Sequence, residues 1–109
     1  MPAPNSAQTA LDMLVLTILS RRGPSHGYGL ANAIQELSEE ALRVDEGSLY
    51  PALHRMEEAG WIHAKWITKE NGRRARIYEL KPAGRKQLAA EEQRWEAVTG
   101  AVGRILRMA

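Results

Sequence analysis

Three histidines and one well-placed serine are the side chains of this sequence from which catalysis could be built, and none has the neighbours it needs. His26, His54 and His63 show no spacing that suggests a shared metal site, and His26 beside Gly27-Tyr28 reads as a structural hydrogen-bonding residue. Ser48 lacks the Gly-x-Ser-x-Gly elbow, and Gly27-Tyr28-Gly29 lacks the spacing of a phosphate-binding loop after a strand. With no cysteine there is no disulfide, cysteine-zinc site or thiol nucleophile. Neither an enzyme nor a resident cofactor is expected. The chemistry on offer is recognition of a polyanion. Ser48, Tyr50, Pro51, His54 and Arg55 fall on one side of a helical segment, short or planar groups able to reach phosphates and base edges in a major groove. Further on, Lys65, Lys69, Arg73, Arg74 and Arg76 with the single acid Glu70 give the 65–76 stretch a net charge of +4, in a chain whose total is only +2. The positive charge is concentrated, which suits phosphate contact better than the mild overall balance suggests.

The elements that must position these groups follow from periodicity. In Asp45 to Gly60, Leu49, Ala52, Leu53 and Met56 sit at i, i+3, i+4 and i+7, one buried stripe of a helix. Asp45 is placed to cap it and Gly60 to end it in a left-handed conformation. Pro51 lacks a donor and crowds the carbonyl of Gly47, so it requires either a place near the first turn or a bend. The plainer reading of this segment alone is an ordinary amphipathic helix. Ahead of it, Ser6 is expected to cap a first helix whose stripe is Leu11, Leu14, Val15, Ile18 and Leu19, ending near Arg21, Arg22 and Gly23. Met1 to Asn5, with two prolines, reads as a loose arm. Ser25 is expected to cap a second helix carrying Leu30, Ile34 and Leu37, with 38–44 as its link to the third.

After Gly60 the period changes to alternation. Ile62, Ala64 and Trp66 share one side of a strand and Tyr78 and Leu80 one side of another, with Asn71-Gly72 between them as a tight turn in which both residues tolerate positive φ. Trp61 to Leu80 therefore reads as a β-hairpin with Lys69, Arg73 and Arg74 at its tip, the geometry of a wing. The alternative is a solvated loop kept soluble by charge. Pro82 can open a last helix, along which Leu88, Trp95, Val98, Val102 and Ile105 make a coiled-coil-like seam, weakened by Gly100 and Gly103. That seam suits dimerisation; the alternative is that it folds back on its own domain. The fold expected is α+β, mostly α: a winged helix-turn-helix of three helices plus a hairpin wing over 1–81, then a long C-terminal dimerisation helix over 82–109. Leu11 to Leu19, the longest mainly apolar run, is too short to span a bilayer and follows no basic region, so a soluble, cytoplasmic protein without membrane contact is expected.

The ordered set of motifs resembles the PadR-like transcriptional regulators over nearly the whole chain. Ala10-Leu11-Asp12-Met13-Leu14-Val15-Leu16 resembles that family's first helix and His26-Gly27-Tyr28 its second. Gly47-Ser48-Leu49-Tyr50-Pro51-Ala52-Leu53 with Arg55-Met56-Glu57-Glu58-Ala59-Gly60-Trp61-Ile62 is similar to its recognition helix. Gly72-Arg73-Arg74-Ala75-Arg76-Ile77-Tyr78-Glu79-Leu80 with Ala83-Gly84-Arg85 resembles its wing and the start of its last helix. A departure lies at Lys81-Pro82, where the family more often has threonine, which bears on the cap of the last helix. The resemblance implies a ligand-responsive dimeric repressor on a palindromic duplex operator, of the short branch that dimerises through its first and last helices. That brings Leu11 and Leu14 beside Val98, Val102 and Ile105 in the interface, and places Trp95 where small members hold a flat, apolar effector between subunits. The rival of another class is a winged-helix module that binds only protein. It draws on the acids Glu57 and Glu58 of the reading helix and Glu36, Glu39 and Glu40 before it, since like charge opposes phosphate.

Overall fold

The computed structural model describes residues 6–108. In chain order these form α1 (Ser6–Arg22), β1 (Ser25–His26), α2 (Gly27–Leu37), α3 (Glu46–Glu58), β2 (Ile62–Thr68), β3 (Arg74–Leu80) and α4 (Pro82–Arg107). The arm expected over Met1–Asn5 lies outside the described residues, and Ser6, expected as a cap, is already helical. The mostly helical architecture with a winged hairpin and a long last helix is the one expected from periodicity.

The helix α1 is the centre of the molecule. Its stripe is wider than the spacing of Leu11, Leu14, Val15, Ile18 and Leu19 suggests: Val15, Leu16, Ile18 and Leu19 are all buried, whereas Leu11 and Leu14 are half-buried on the rim. The reason is that α1 is packed by α2, α3, α4 and β3 together, so most of its circumference is interior. Against it lie Leu30, Ala33 and Ile34 of α2, Leu49, Ala52, Leu53 and Met56 of α3, Ile62 and Tyr78 of the sheet and Leu88 of α4. Leu37 keeps the helical spacing of α2 but is exposed, because the helix has passed the end of the core by then.

Several ends differ from expectation in informative ways. Ser25 does not cap α2. It lies in β1, which pairs antiparallel with β3 (Ser25 with Tyr78, His26 with Ile77), and its hydroxyl donates to the Gly23 carbonyl at 3.1 Å. The N-cap is His26, whose side chain makes no cap bond. The sheet thus has three strands in the order β1-β3-β2. At the other end of α2 the chain reverses through Glu39 and Glu40, both at positive φ (52° and 70°), a conformation that disfavours side chains. The hairpin tip is a longer connection than a two-residue turn: Thr68 faces Arg74, the Gly72 amide donates to the Lys69 carbonyl at 2.9 Å, and only Gly72 has positive φ. Asn71 contributes through its side chain instead, accepting from the Arg73 amide at 2.9 Å.

Asp45 caps α3 as expected, accepting from the Ser48 amide at 2.8 Å. Gly60, at φ 81°, closes it, with the Trp61 amide donating to Met56 and the Gly60 amide to Glu57. The helix continues through Pro51, whose missing donor leaves the Gly47 carbonyl on the exposed face. Pro82 begins α4, and Lys81 before it provides no side-chain cap. Only the first turns of α4 are interior, through Gly84, Leu88 and Glu91. The remainder projects, which makes the molecule 60 Å long but 31 by 24 Å across. Among the described residues no helix is long and apolar enough to cross a membrane.

Candidate nucleic-acid interface

The residues expected to read DNA divide into a free group and a held group. Ser48, Tyr50, Pro51 and His54 are exposed along α3, with His54 Nε2 3.1 Å from a Glu58 carboxylate oxygen one turn on. Lys69, Arg73 and Arg74 are exposed at the wing tip. Arg74 and Arg76 lie over the exposed ring of Trp66, 4.8 and 5.9 Å from its centroid, so the outer part of the hairpin is a cation-aromatic stack. Trp66 shares a side with Ile62 and Ala64 as expected, but the strand has left the core by then. Arg76 also pairs with Glu57 of α3 at 2.9 Å, which ties the wing to the reading helix.

Arg55 is the clear difference from expectation. It does not turn outward with His54; its guanidinium donates to the carboxylate of Asp12 on α1. The Asp12 side chain is only 10% exposed, against 38% for Arg55. Burial raises the Asp12 carboxyl above its ordinary range, the Arg55 hydrogen bond and charge pull it back, and nearby Glu91 adds a smaller upward push. The second buried acid, Glu91 on α4, accepts from Gln87 and Arg94 through one oxygen and leaves the other buried with no partner among the described residues. Neither acid was singled out from the sequence, although both stand on apolar stripes: Asp12 four before Leu16, and Glu91 between Leu88 and Trp95.

The Asp12 shift carries a sign. A carboxyl whose folded pKa is raised contributes stability that is fully present below its unfolded value and lost as pH rises through the folded value. Asp12→Asn, which removes that titration, is therefore expected to cost little at neutral pH. Its stability relative to the wild type should rise with pH in paired denaturant titrations. Arg55→Ala instead strands a buried charge and is expected to cost about 2 to 3 kcal/mol, below the usual range for a broken buried pair because the arginine is part-exposed. A large loss at neutral pH in Asp12→Asn would show that the ion pair, not burial, dominates.

A groove of about 540 Å³ is lined by Tyr50 of α3, by His26, Gly27 and Tyr28 at the start of α2, and by Trp66, Lys69, Ala75, Arg76 and Tyr78 of the hairpin. A Cβ on Gly27 would stand 3.0 Å from the Tyr50 ring, so glycine at 27 is what lets Tyr50 lie across the start of α2. Tyr50 is thus the point at which α3 meets the groove lined by Lys69 and Arg76 of the hairpin.

The seam residues are uncovered in the single chain: Trp95, Val98, Val102 and Ile105 are 44%, 54%, 47% and 67% exposed, while Leu88 belongs to the core. Among the described residues nothing covers them. Among the described residues no group of three or more His, Cys, Asp or Glu is placed to hold a metal ion.

Comparison with known proteins agrees with this geometry. The solved structure of a transcriptional regulator from Clostridium thermocellum superposes with a TM-score of 0.83 at 25% identity, covering 92% of this chain and 96% of that one. A PadR-like regulator from Bacillus cereus gives 0.77 at 27% identity, covering 92% and 94%. In sequence, a transcriptional regulator of Mycobacterium tuberculosis is 39% identical over 71 residues, 65% of this chain and 63% of that protein. An uncharacterised transposon protein of Streptomyces fradiae is 39% identical over 90 residues, 83% of this chain but 24% of its own length. The chain therefore matches less than two thirds of either relative. The model of the transcriptional regulator PadR-like family matches residues 15–90, from the core of α1 to the first turns of α4, and the chain belongs to that family.

Proposed function

We propose that this chain is a sequence-specific DNA-binding repressor that acts in the cytoplasm as a homodimer on a palindromic operator and releases it when a small planar apolar effector binds. A regulator of this family has no need of catalysis, and none is assigned. The observation that supports the proposal is the shared groove: Tyr50 of α3 and the wing cations Lys69 and Arg76 line one cavity. In this reading Ser48, Tyr50, Pro51 and His54 enter the major groove, and Lys69, Arg73, Arg74 and Arg76 hold phosphates. Arg55 serves through its bond to Asp12, fixing how α3 sits on α1. The acids that favour a protein-binding module are partly answered, since Glu57 is paired with Arg76 and Glu58 lies beside His54.

The experiment is a gel shift of the protein against its own upstream DNA, with salt titrated and unrelated duplex as competitor. Binding that is salt-sensitive and resists the competitor is expected; indifference to both would favour the protein-binding module. Arg73→Ala with Arg74→Ala should weaken operator and unrelated duplex alike and reduce the salt slope by about 0.9 for each phosphate no longer neutralised. An unchanged slope in that variant would take the wing off the phosphates.

The winged unit, 1–81, and the helix 82–109 divide the work, α4 seating on the core with its first turns and offering Trp95, Val98, Val102 and Ile105 to a partner beside Leu11 and Leu14 of α1. Trp95, half-exposed on that stripe, is the proposed effector contact, because an indole gives a rigid face for stacking worth about 0.5 to 1.5 kcal/mol beyond area burial. Titration with planar aromatic cations and neutral phenolics, followed by fluorescence and DNA release, should show binding lost in Trp95→Ala. Equal binding by that variant would return the residue to packing.

A further inference from the structure

Asn71 and Gly72 stand at the tip of the wing, in surroundings suited to a reaction that DNA binding does not use. We propose that Asn71 is a site of spontaneous covalent modification, converting by ring closure onto Gly72 into aspartate and isoaspartate, and that the product weakens the wing's hold on DNA. The chemical step stands on the geometry of the tip alone; its consequence rests on the reading of the wing as a phosphate contact. Both residues are exposed and lie outside the paired strands, whose last partners are Thr68 and Arg74. Gly72 has φ 81° and nothing within 4 Å of where a Cβ would stand, so neither a side chain nor a neighbour screens its amide nitrogen. The Asn71 side chain is already folded back on the chain: its Oδ1 accepts from the Arg73 amide at 2.9 Å, which holds the side-chain amide over the intervening Gly72 peptide.

In the reaction the Gly72 nitrogen gives its proton to water and attacks Cγ of Asn71. A C–N bond forms, the Asn71 side-chain nitrogen leaves as ammonia, and a succinimide ring remains. Water then opens the ring. Addition at Cγ restores the main chain with an aspartate, addition at the Asn71 backbone carbonyl carbon yields isoaspartate, and nothing is oxidised or reduced. As Cγ becomes tetrahedral, negative charge gathers on Oδ1, where the Arg73 amide already points. One bond opposes the step: the Gly72 amide donates to the Lys69 carbonyl at 2.9 Å, so the tip has to open before the nitrogen can attack. A turn exposed throughout 69–73 opens readily in the free protein, whereas a wing held against a duplex does not. Modification is therefore a property of the protein off its DNA. The product places a carboxylate between Lys69 and Arg73 in the chain and lowers the net charge of 65–76 by one, from +4 to +3. Asn32, the other asparagine among the described residues, is exposed too, but it sits inside α2 before Ala33, where the helix holds the following amide.

The test follows the full-length protein as it ages at neutral and mildly alkaline pH, free, with saturating upstream duplex, and in denaturant. Peptide mass spectrometry, with aspartate separated from isoaspartate, reads each asparagine. Conversion at Asn71 with Asn32 intact is expected, faster at the higher pH and slower on the duplex. Asn71→Asp, which keeps an acceptor for the Arg73 amide, should bind upstream and random duplex alike about five- to tenfold more weakly than the wild type. Asn71→Gln, slow to close a ring, should keep its affinity on ageing. An Asn71 that converts in denaturant but stays intact in the folded protein would overturn the site, and wild-type affinity in Asn71→Asp would overturn its effect on the wing. A wild type that binds no duplex would remove the DNA reading and that effect together, with the conversion decided by mass alone.

Discussion

A chain cut after Glu92 is expected to stay folded, to become a monomer, and to lose about 10²- to 10⁴-fold in operator affinity, as the coupling of two half-sites through one dimer disappears. The three outcomes have separate causes. Glu91 is the last buried residue of α4, so the cut removes nothing from the core formed by α1, α2, α3, the sheet and Leu88. It does remove Trp95, Val98, Val102 and Ile105, spaced 3, 4 and 3 apart and uncovered in the single chain. Each large apolar side chain that becomes fully buried in a partner is worth up to about 1.5 to 3 kcal/mol, enough in sum to hold a dimer at micromolar concentration. The affinity falls because a dimer engages its second half-site as an intramolecular event and a monomer cannot. Light scattering with thermal unfolding separates the outcomes. A full-length protein that stays monomeric at high concentration would remove the dimer, and a cut protein that still dimerises would move the interface off this stripe.

Gly84→Ala is expected to cost about 3 kcal/mol or more, a large effect for a single methyl group. An ideal Cβ at that position would stand 2.1 Å from the Trp61 carbonyl oxygen and 2.6 Å from a Leu80 methyl. The obstacle is backbone, and it cannot swing away: the same Trp61 carbonyl accepts from the Lys81 amide at 2.9 Å, and the Trp61 amide is spent on closing α3. Glycine at 84 therefore lets the first turn of α4 rest directly on the end of the reading helix. Overpacking costs typically about 1 to 3 kcal/mol, and contact with fixed backbone belongs at or above the top of that range. For a small domain that is a fall of more than about 10 °C in Tm. A Gly84→Ala protein with unchanged Tm would mean that α4 does not sit on Trp61 in solution. Whatever fraction stays folded should also bind DNA poorly, since the same contact sets the angle between α4 and α3.

What the sequence determined by itself is local. Spacing of 3 and 4 among Leu49, Ala52, Leu53 and Met56 specifies a helix with one buried face, Asp45 and Gly60 mark its ends, and alternation after Gly60 specifies strands, because these patterns report backbone geometry within a few residues. The order of those elements was enough for the winged architecture, and the clustering of Lys69, Arg73 and Arg74 enough to point at phosphate. The tertiary structure decided everything that depends on residues far apart in the chain. Arg55 has the helical phase of an outward residue, and only the approach of Asp12, 43 positions earlier, turns it to α1. Ser25 has the type of a cap, and becomes a strand because β3 offers an open edge to pair with. Leu16 falls off the apparent stripe of α1, yet is fully buried because four elements surround that helix. Tyr78 reads as a strand residue like any other until the fold buries it while leaving it on the wall of a groove shared with Tyr50 of α3 and the start of α2. Periodicity can say which side of an element faces inward, but the number and identity of the neighbours on that side are properties of the assembled fold.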